Sequence, residues 1–323
     1  MKSGIALPLD QATLAIRNQV LRSQGTSPET RADTAMSVVI PSFGRKEVLH
    51  ETVLSLLEQS LLPAEIIISV PGLEHVEPQT IALPRVRVIV SQRGSCHQRN
   101  AAMRAVGDSC RYIAFFDDDM ELDRDFLASM YDMMEANSDV VLATGNTLAD
   151  GAKIGGISRD DARRIVRKSE GSGWNTKEGV SDYWGASGGL MVCCRWLAEE
   201  ICFDERLALY GWLEDFEFAM QAMQFGRVVK FVGARCVHLA HRSGRVSGYR
   251  LGYSQIVNPC YFMQKGHRIS KSTLVRTYWL PVLLRNGISA LDRVRRERFI
   301  GNLRGLWMVL QGRIEPEGVA AFA

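Results

Sequence analysis

The sequence predicts an α/β fold in which a mostly parallel sheet is covered by helices on both faces. Short apolar, β-branched runs at residues 37–40, Glu65–Val70, Val86–Val90 and Tyr112–Phe116 alternate with amphipathic stretches at 46–59 and 95–106. That is the pattern of strand–helix–strand crossovers. Such crossovers are nearly always right-handed and gather the carboxyl ends of the strands on one edge, where ligands bind. Residues with chemistry to offer, from Pro41-Ser42 to Asp117-Asp118-Asp119, fall at those ends.

In chain order, residues 11–22 have helical spacing, with Leu14, Val20 and Leu21 on one side, and 23–33 have the composition of a linker. Organised sequence begins at Met36. The first strand runs into Pro41, and Val48, Leu49, Val53, Leu56 and Leu57 mark the helix that follows. Pro71-Gly72 closes the second strand, and 91–94 closes the third. A helix is expected near 123–130. Small residues at 185–189 lead into a strand at Leu190–Cys194; 213–225 is amphipathic and 228–232 is a further strand. The expected division is a helical extension and linker at 1–34, the α/β domain at 35–268 and a helical extension at 269–323.

Bulk composition narrows the classes of function. With 46% hydrophobic and 23% charged residues in 323, a packed core is expected. A net charge of +3 is too small for a protein that tracks nucleic-acid phosphates. The seven cysteines are odd in number and lack C-x-x-C spacing, which fits a reducing compartment. Asp10 and Arg17 interrupt the first twenty residues, so no secretory leader is read. No apolar stretch reaches the roughly 18–20 residues of a spanning helix. The expectation is a cytoplasmic protein.

Three carboxylates directly after an apolar strand are the strongest local signal. In extended geometry Asp117 and Asp119 project to one side and Asp118 to the other. Converging carboxylates repel unless a cation compensates, and oxygen-rich sites of this kind suit Mg²⁺ or Mn²⁺. A solvated acidic loop or a helix cap accounts for the same residues. Glu214-Asp215 opens an amphipathic helix; acids there complement the helix dipole, or one serves as general base toward an acceptor hydroxyl. Trp184 with Gly188-Gly189 fits either a sugar platform or a tight turn. His238 and His241 are metal or phosphate ligands, or structural. Arg99-Asn100, near a helix N-terminus, either supports a diphosphate or forms an ordinary polar face.

Taken together and in order, these segments resemble the family 2 glycosyltransferases of the GT-A fold. Val38–Arg45 resembles that family's first strand and donor loop, Arg99-Asn100-Ala101 its R-N-x-G/A segment, and Phe115–Asp119 its D-x-D motif. Gly188–Arg195, Phe203-Asp204-Glu205, Gly211–Asp215 and Val237-His238 are similar to the acceptor segment, F-D-E, G-x-x-E-D and V-x-H. Asn258, Tyr261 and Lys265 are similar to the late N-x-x-Y-x-x-x-K. The likeness spans roughly residues 36–266.

The resemblance implies a GT-A-type, Rossmann-like sheet and an inverting, metal-dependent transfer from a nucleotide sugar. Asp119 would bind Mg²⁺ or Mn²⁺ directly, with Asp117 on the donor ribose or the metal, and His238 as a further ligand. Asp215, beside Glu214, would be the catalytic base. Pro41, Ser42, Phe43, Arg45, Ser69, Arg99, Asn100, Asp117 and Asp118 would meet the donor nucleotide, for which the family favours UDP. Trp184, Gly188, Gly189 and Trp212 would meet sugar and acceptor. The acceptor would be a saccharide, free or lipid-linked, in polysaccharide or glycoconjugate assembly.

One departure is plain. The family carries acids after its second strand, one of which reads the base, whereas this chain has Ser69-Val70-Pro71-Gly72. A sugar nucleotidyltransferase shares the acidic core but needs a Gly-rich loop that residues 41–45 do not provide. A binding module without turnover also remains open. The tail interleaves Arg285, Arg293, Arg295, Arg296, Arg298 and Arg304 with Leu, Ile, Phe and Trp. That composition fits a helical pair packed on the domain with a basic outer face, or contact with the inner face of an anionic membrane.

Overall fold

The structure is a computed structural model that describes residues 36–169, 179–241, 247–267, 269–288 and 292–321. The expected helix at 11–22 and the whole 1–34 extension lie outside the described residues.

Each apolar run forms a strand. β1 (Met36–Pro41), β2 (Glu65–Val70), β3 (Val86–Val90) and β4 (Tyr112–Phe116) pair in parallel in the order β3-β2-β1-β4. β1, β2 and β4 are buried, and the edge strand β3 is half-exposed. Helix α1 (Lys46–Leu57) joins β1 to β2, and α2 (Ser95–Ala105) joins β3 to β4. These are the crossovers that the alternating pattern predicts. β5 (Met120–Leu122) follows the aspartates, and α3 (Phe126–Ala136) leads into β6 (Val140–Asp150). Helix α4 (Arg159–Ser169), β7 (Val180–Asp182), β8 (Leu190–Cys194), α5 (Glu214–Ala222) and β9 (Arg227–His238) complete the sheet region.

The sheet continues from β4 through β8, β6 and β9 to β5, with β7 also on β9. β8 is antiparallel to both β4 and β6, and β6 and β9 are parallel. Six strands therefore share one direction, and Asp117, Asp150 and His238 arrive on the same edge of the sheet. β9 is longer than the expected strand at 228–232, and β6 and α4 carry no counterpart in the sequence reading. Buried strand residues such as Val39, Ile67, Phe115 and Val192 form the centre of the core. Six of the seven cysteines are buried, and none is disulfide-bonded.

The C-terminal helices pack on this domain. Helix α6 (Gly248–Gln264) is followed by a π-helical turn (Leu274–Trp279), α7 (Leu280–Ile288) and α8 (Arg293–Leu310). α6 and α8 meet through glycines spaced four apart on each: Gly248 and Gly252, Gly301 and Gly305. A Cβ on Gly252 would collide with the Arg298 carbonyl, and one on Gly301 with the Tyr249 carbonyl. Such spacing lets two backbones approach closely. Polar groups complete the seam: Asn302 donates to the Gly252 carbonyl at 2.7 Å, and Asn286 of α7 to Asn302 Oδ1 at 2.8 Å. Among the described residues, no helix is long and apolar enough to cross a membrane.

Candidate active site

A cavity of about 790 Å³ opens along the carboxyl edge of the sheet, lined by Pro41, Ser42, Phe43, Arg45, Arg93, Gln98, Arg99, Asp117, Asp150, Gly188, Gly189, Trp212, Glu214, Asp215 and His238 among others. The three aspartates divide their work. Asp117 faces the cavity. Asp118 is fully buried and turned away, accepting a 2.5 Å hydrogen bond from Ser42 Oγ and pairing with Arg45 Nη2 at 2.6 Å. Burial pushes its carboxyl up, against the pull of Arg45. Asp119 accepts from Arg45 Nη1 at 2.8 Å and from the His241 backbone N–H at 2.9 Å.

Asp117, Asp119 and His238 each bring a ligand atom within 4.8 Å of the others. Asp119 Oδ1 is buried without a hydrogen-bond donor, its nearest cationic neighbour being His238 Nε2 at 3.5 Å. Burial works to raise the Asp119 carboxyl, but His238 and Arg45 outweigh it and hold it at about 2. His238 is oriented from its other side by Asp150, with Nδ1 2.8 Å from Oδ1. Two carboxylates and an imidazole with an oriented far nitrogen are a donor set for a divalent cation. An orphaned carboxylate oxygen facing the cluster fits that occupancy. The structure thereby separates the two histidines: His238 brings its ring to the cluster, His241 its backbone N–H to Asp119.

On the facing wall, α5 presents Glu214 and Asp215. Glu214 is buried and held by Arg99, whose Nη1 lies 2.7 Å from Glu214 Oε1 and whose Nη2 lies 3.1 Å from Asp117 Oδ1. Asp215 borders the cavity; its Oδ2 accepts the Gly188 N–H at 2.9 Å and its Oδ1 the Phe216 N–H at 2.7 Å. Burial raises the Asp215 carboxyl, with those two N–H groups pulling the other way. Ahead of α5, Leu209, Gly211 and Leu213 all have left-handed backbone (φ 61°, 72° and 70°). Two of these are not glycine, a cost of about 1–3 kcal/mol each. The loop is fixed by Ser95 N–H donating to the Leu209 carbonyl at 2.7 Å and Asn258 Nδ2 to the Trp212 carbonyl at 2.8 Å.

Gly188 and Gly189 owe their identity to what lies against them. A Cβ on Gly189 would collide with Asp117 Oδ2, and one on Gly188 would come within 3.0 Å of Arg99 Nη2. Both are glycines because the carboxylate and the guanidinium occupy the space a side chain needs.

Four expected contact residues do not line the cavity. Asp118 lies beneath it, as described. Asn100 is buried, bonding the Phe203 carbonyl at 2.8 Å and Phe203 N–H at 2.9 Å, so it anchors the Phe203-Asp204-Glu205 segment. Ser69 is buried with Oγ 2.8 Å from Ser91 Oγ. Trp184 is 81% exposed and stands outside the cavity, whereas Trp212 lines it.

Sequence reasoning missed three residues. Asp150 was hidden because β6 was not recognised. Gln98 donates to the Ser42 and Ser69 carbonyls at 2.8 and 2.6 Å, tying the loop after β1 to the end of β2. It stands one residue before Arg99, inside a segment already marked. Arg93 places its guanidinium 3.9 Å above the Phe43 ring.

Residues 37–177 match the model of glycosyl transferase family 2. No curated protein matches the chain by sequence. Among solved structures, a mannosyltransferase from Pyrobaculum calidifontis, PcManGT in complex with GDP-Man and Mn²⁺, is similar over 92% of this chain and 94% of that one. The TM-score is 0.54 at 15% identity, a likeness of fold.

Proposed function

The chain is a family 2 glycosyltransferase of the GT-A fold, and we propose that it transfers a sugar with inversion from a nucleoside-diphosphate sugar to an acceptor hydroxyl. The observation that carries this reading is that Asp117 and His238, which cluster with the buried Asp119, line the same cavity as Asp215, and that Arg99 ties Asp117 to Glu214 beside it.

Asp119, Asp117 and His238 would hold Mg²⁺ or Mn²⁺, the latter being the ion present with GDP-Man in the Pyrobaculum calidifontis mannosyltransferase. Such an ion neutralises the charge that develops on the departing diphosphate. Phe43 and Arg93 offer a stacking face and a cation to the base. No acid directly follows β2, and Ser69 is buried against Ser91 outside the cavity, so base identity falls to Phe43, Arg93 and backbone groups. Asp215 accepts the proton of the acceptor hydroxyl, and its raised pKa suits that task. The acceptor oxygen attacks the anomeric carbon from the face opposite the leaving phosphate, which inverts the centre in one displacement. Glu214, neutralised by Arg99, keeps that guanidinium against Asp117. The acceptor is a saccharide hydroxyl, free or lipid-linked, and the product class is a polysaccharide or glycoconjugate.

The test is thermal stabilisation by UDP, GDP, CDP and dTDP, each with Mn²⁺ and with EDTA, followed by diphosphate release with and without acceptor sugars. A nucleotide at a hundred times its dissociation constant adds about 2.7 kcal/mol. One nucleotide should stabilise only with metal, Asp119→Ala should abolish the shift, and acceptor should accelerate release. Stabilisation that no acceptor converts to turnover would leave a binding module, and pyrophosphate formation from a sugar phosphate and a triphosphate would make the chain a nucleotidyltransferase.

A further inference from the structure

We propose that the outer face of α7 and α8 is a docking surface for an anionic lipid bilayer. The proposal stands apart from the transfer reaction, because it rests on residues that do not line the cavity.

A helix lying on a globular domain normally turns its apolar stripe inward. α8 does the reverse. Its buried positions are Gly301, Asn302, Gly305 and Met308, the glycine-and-amide seam against α6. Its exposed positions include Ile300, Leu303, Trp307 and Leu310, about half to three-quarters open to solvent. Spacings of three and four residues put these in one stripe, with Arg296 one turn before Ile300 and Arg304 beside Leu303. α7 repeats the arrangement, with Leu280, Leu284 and Ile288 exposed at intervals of four and Arg285 among them. Nine of the seventeen large apolar side chains exposed among the described residues lie between Val275 and Leu310.

Charge names the occupant. Between Ile269 and Leu310 the chain has eight basic residues and two acidic ones, in a protein whose total is +3. A second copy of this chain would meet the same positive face, and apolar contact across it would have to overcome that repulsion. An anionic bilayer matches both properties, with apolar side chains entering the headgroup boundary and arginines paired to lipid phosphates. Neither helix is built to span, so the contact is peripheral. The surface is also mechanically joined to the cavity. Met308 of α8 clusters with Val257 of α6 and Ala208, and Asn258 of α6 holds the Trp212 carbonyl.

The experiment is co-sedimentation of the full chain with phosphatidylcholine vesicles, with and without phosphatidylglycerol, at low and high salt. Wild-type protein should pellet with the anionic vesicles at low salt, release at high salt, and ignore the neutral ones. Neutralising three exposed arginines (Arg285→Gln, Arg296→Gln, Arg304→Gln) should weaken vesicle partitioning by about a hundredfold, at roughly fivefold per charge. Leu303→Ser with Trp307→Ser should abolish it with the midpoint of thermal unfolding unchanged. If that pair fails to fold, the arginine variant alone decides. Failure to pellet with anionic vesicles at low salt overturns the proposal. So does pelleting that the arginine variant leaves undiminished. A dimer in solution that Leu303→Ser with Trp307→Ser dissociates, without vesicle binding by the wild type, overturns it too and makes the face a contact between copies.

Discussion

Arg99 and Glu214 form a buried ion pair, 2.7 Å between Nη1 and Oε1, that joins the helix after β3 to the helix before β9. Through its second nitrogen the same guanidinium reaches Asp117 at 3.1 Å, so one side chain sets the distance between the two acidic motifs. Burial works against the charge on Arg99, but Glu214 and Asp117 outweigh it and strengthen its hold on the proton. Removing one partner leaves the other buried and uncompensated, at a cost of about 3–5 kcal/mol. Arg99→Met should lose stability on that scale in chemical denaturation. Glu214→Gln, which keeps an acceptor for Arg99, should lose less.

Asp215→Asn separates binding from chemistry. The amide oxygen still accepts the Gly188 N–H, at the cost of the Phe216 N–H bond to the other oxygen, but a carboxamide cannot take up the acceptor proton. Turnover should fall by about 10²- to 10⁴-fold. The thermal shift produced by nucleotide and metal should persist. A loss of nucleotide binding equal to the loss of turnover would assign Asp215 to the donor instead.

The adjacent glycines should behave differently. Gly189→Ala drives a methyl into Asp117 Oδ2, and Asp117 is backed by Arg99, so the carboxylate must leave its place near Asp119 and His238. Metal-dependent nucleotide binding should weaken by tenfold or more, an effect of about 1.4 kcal/mol. Gly188→Ala meets Arg99 at 3.0 Å, a contact that a small shift relieves, and should be milder. Titration calorimetry with nucleotide and Mn²⁺ on both variants checks the order.

The parallel half of the sheet and most of the motif residues were legible because buried parallel strands read as apolar runs and end where ligands bind. β6 was not legible. Its sequence passes from Val140-Val141-Leu142 into Thr147, and a bulged pairing with β9 replaces simple alternation. Asp150 went unseen with it. The roles of Asn100 and Ser69 were hidden for another reason, since a buried amide and a cavity-facing amide have the same sequence neighbourhood. In α8 the interleaving of arginines with Leu, Ile, Phe and Trp was plain, but composition does not say which side faces inward. Gly301 and Gly305 decide that, and they carry no hydrophobic signal.

Asp204 supplies a pH dependence. Lys265 Nζ at 2.7 Å and Tyr261 OH at 2.8 Å bind its carboxylate. Burial opposes ionisation, yet Lys265 and Tyr261 bring the pKa below its ordinary 3.8. A carboxylate depressed in the folded state contributes stability above its unfolded pKa, and that contribution is lost as pH falls through the folded value. Asp204→Asn should therefore unfold at a lower temperature than wild type at pH 6, and the gap should narrow as pH drops below about 4. A gap constant from pH 6 to 3 would show that the ion pair with Lys265 is energetically idle.

The seam between α6 and α8 gives a prediction whose sign distinguishes packing from propensity. In a helix, alanine is favoured over glycine by roughly 1 kcal/mol. Gly287→Ala in α7 meets the Phe299 ring at 3.2 Å, a side chain able to give way, so propensity should decide and stability should hold or rise. Gly301→Ala meets the Tyr249 carbonyl, which belongs to the backbone of α6 and has no rotamer to change. There the helices must separate, which also stretches the Asn302 hydrogen bond to the Gly252 carbonyl. The loss should reach about 3 kcal/mol, the upper end for overpacking a core. Urea unfolding of the two variants decides between the effects. Opposite shifts place the seam in the folding unit of the sheet, and a silent Gly301→Ala would mean that α8 docks without the close approach its glycines permit.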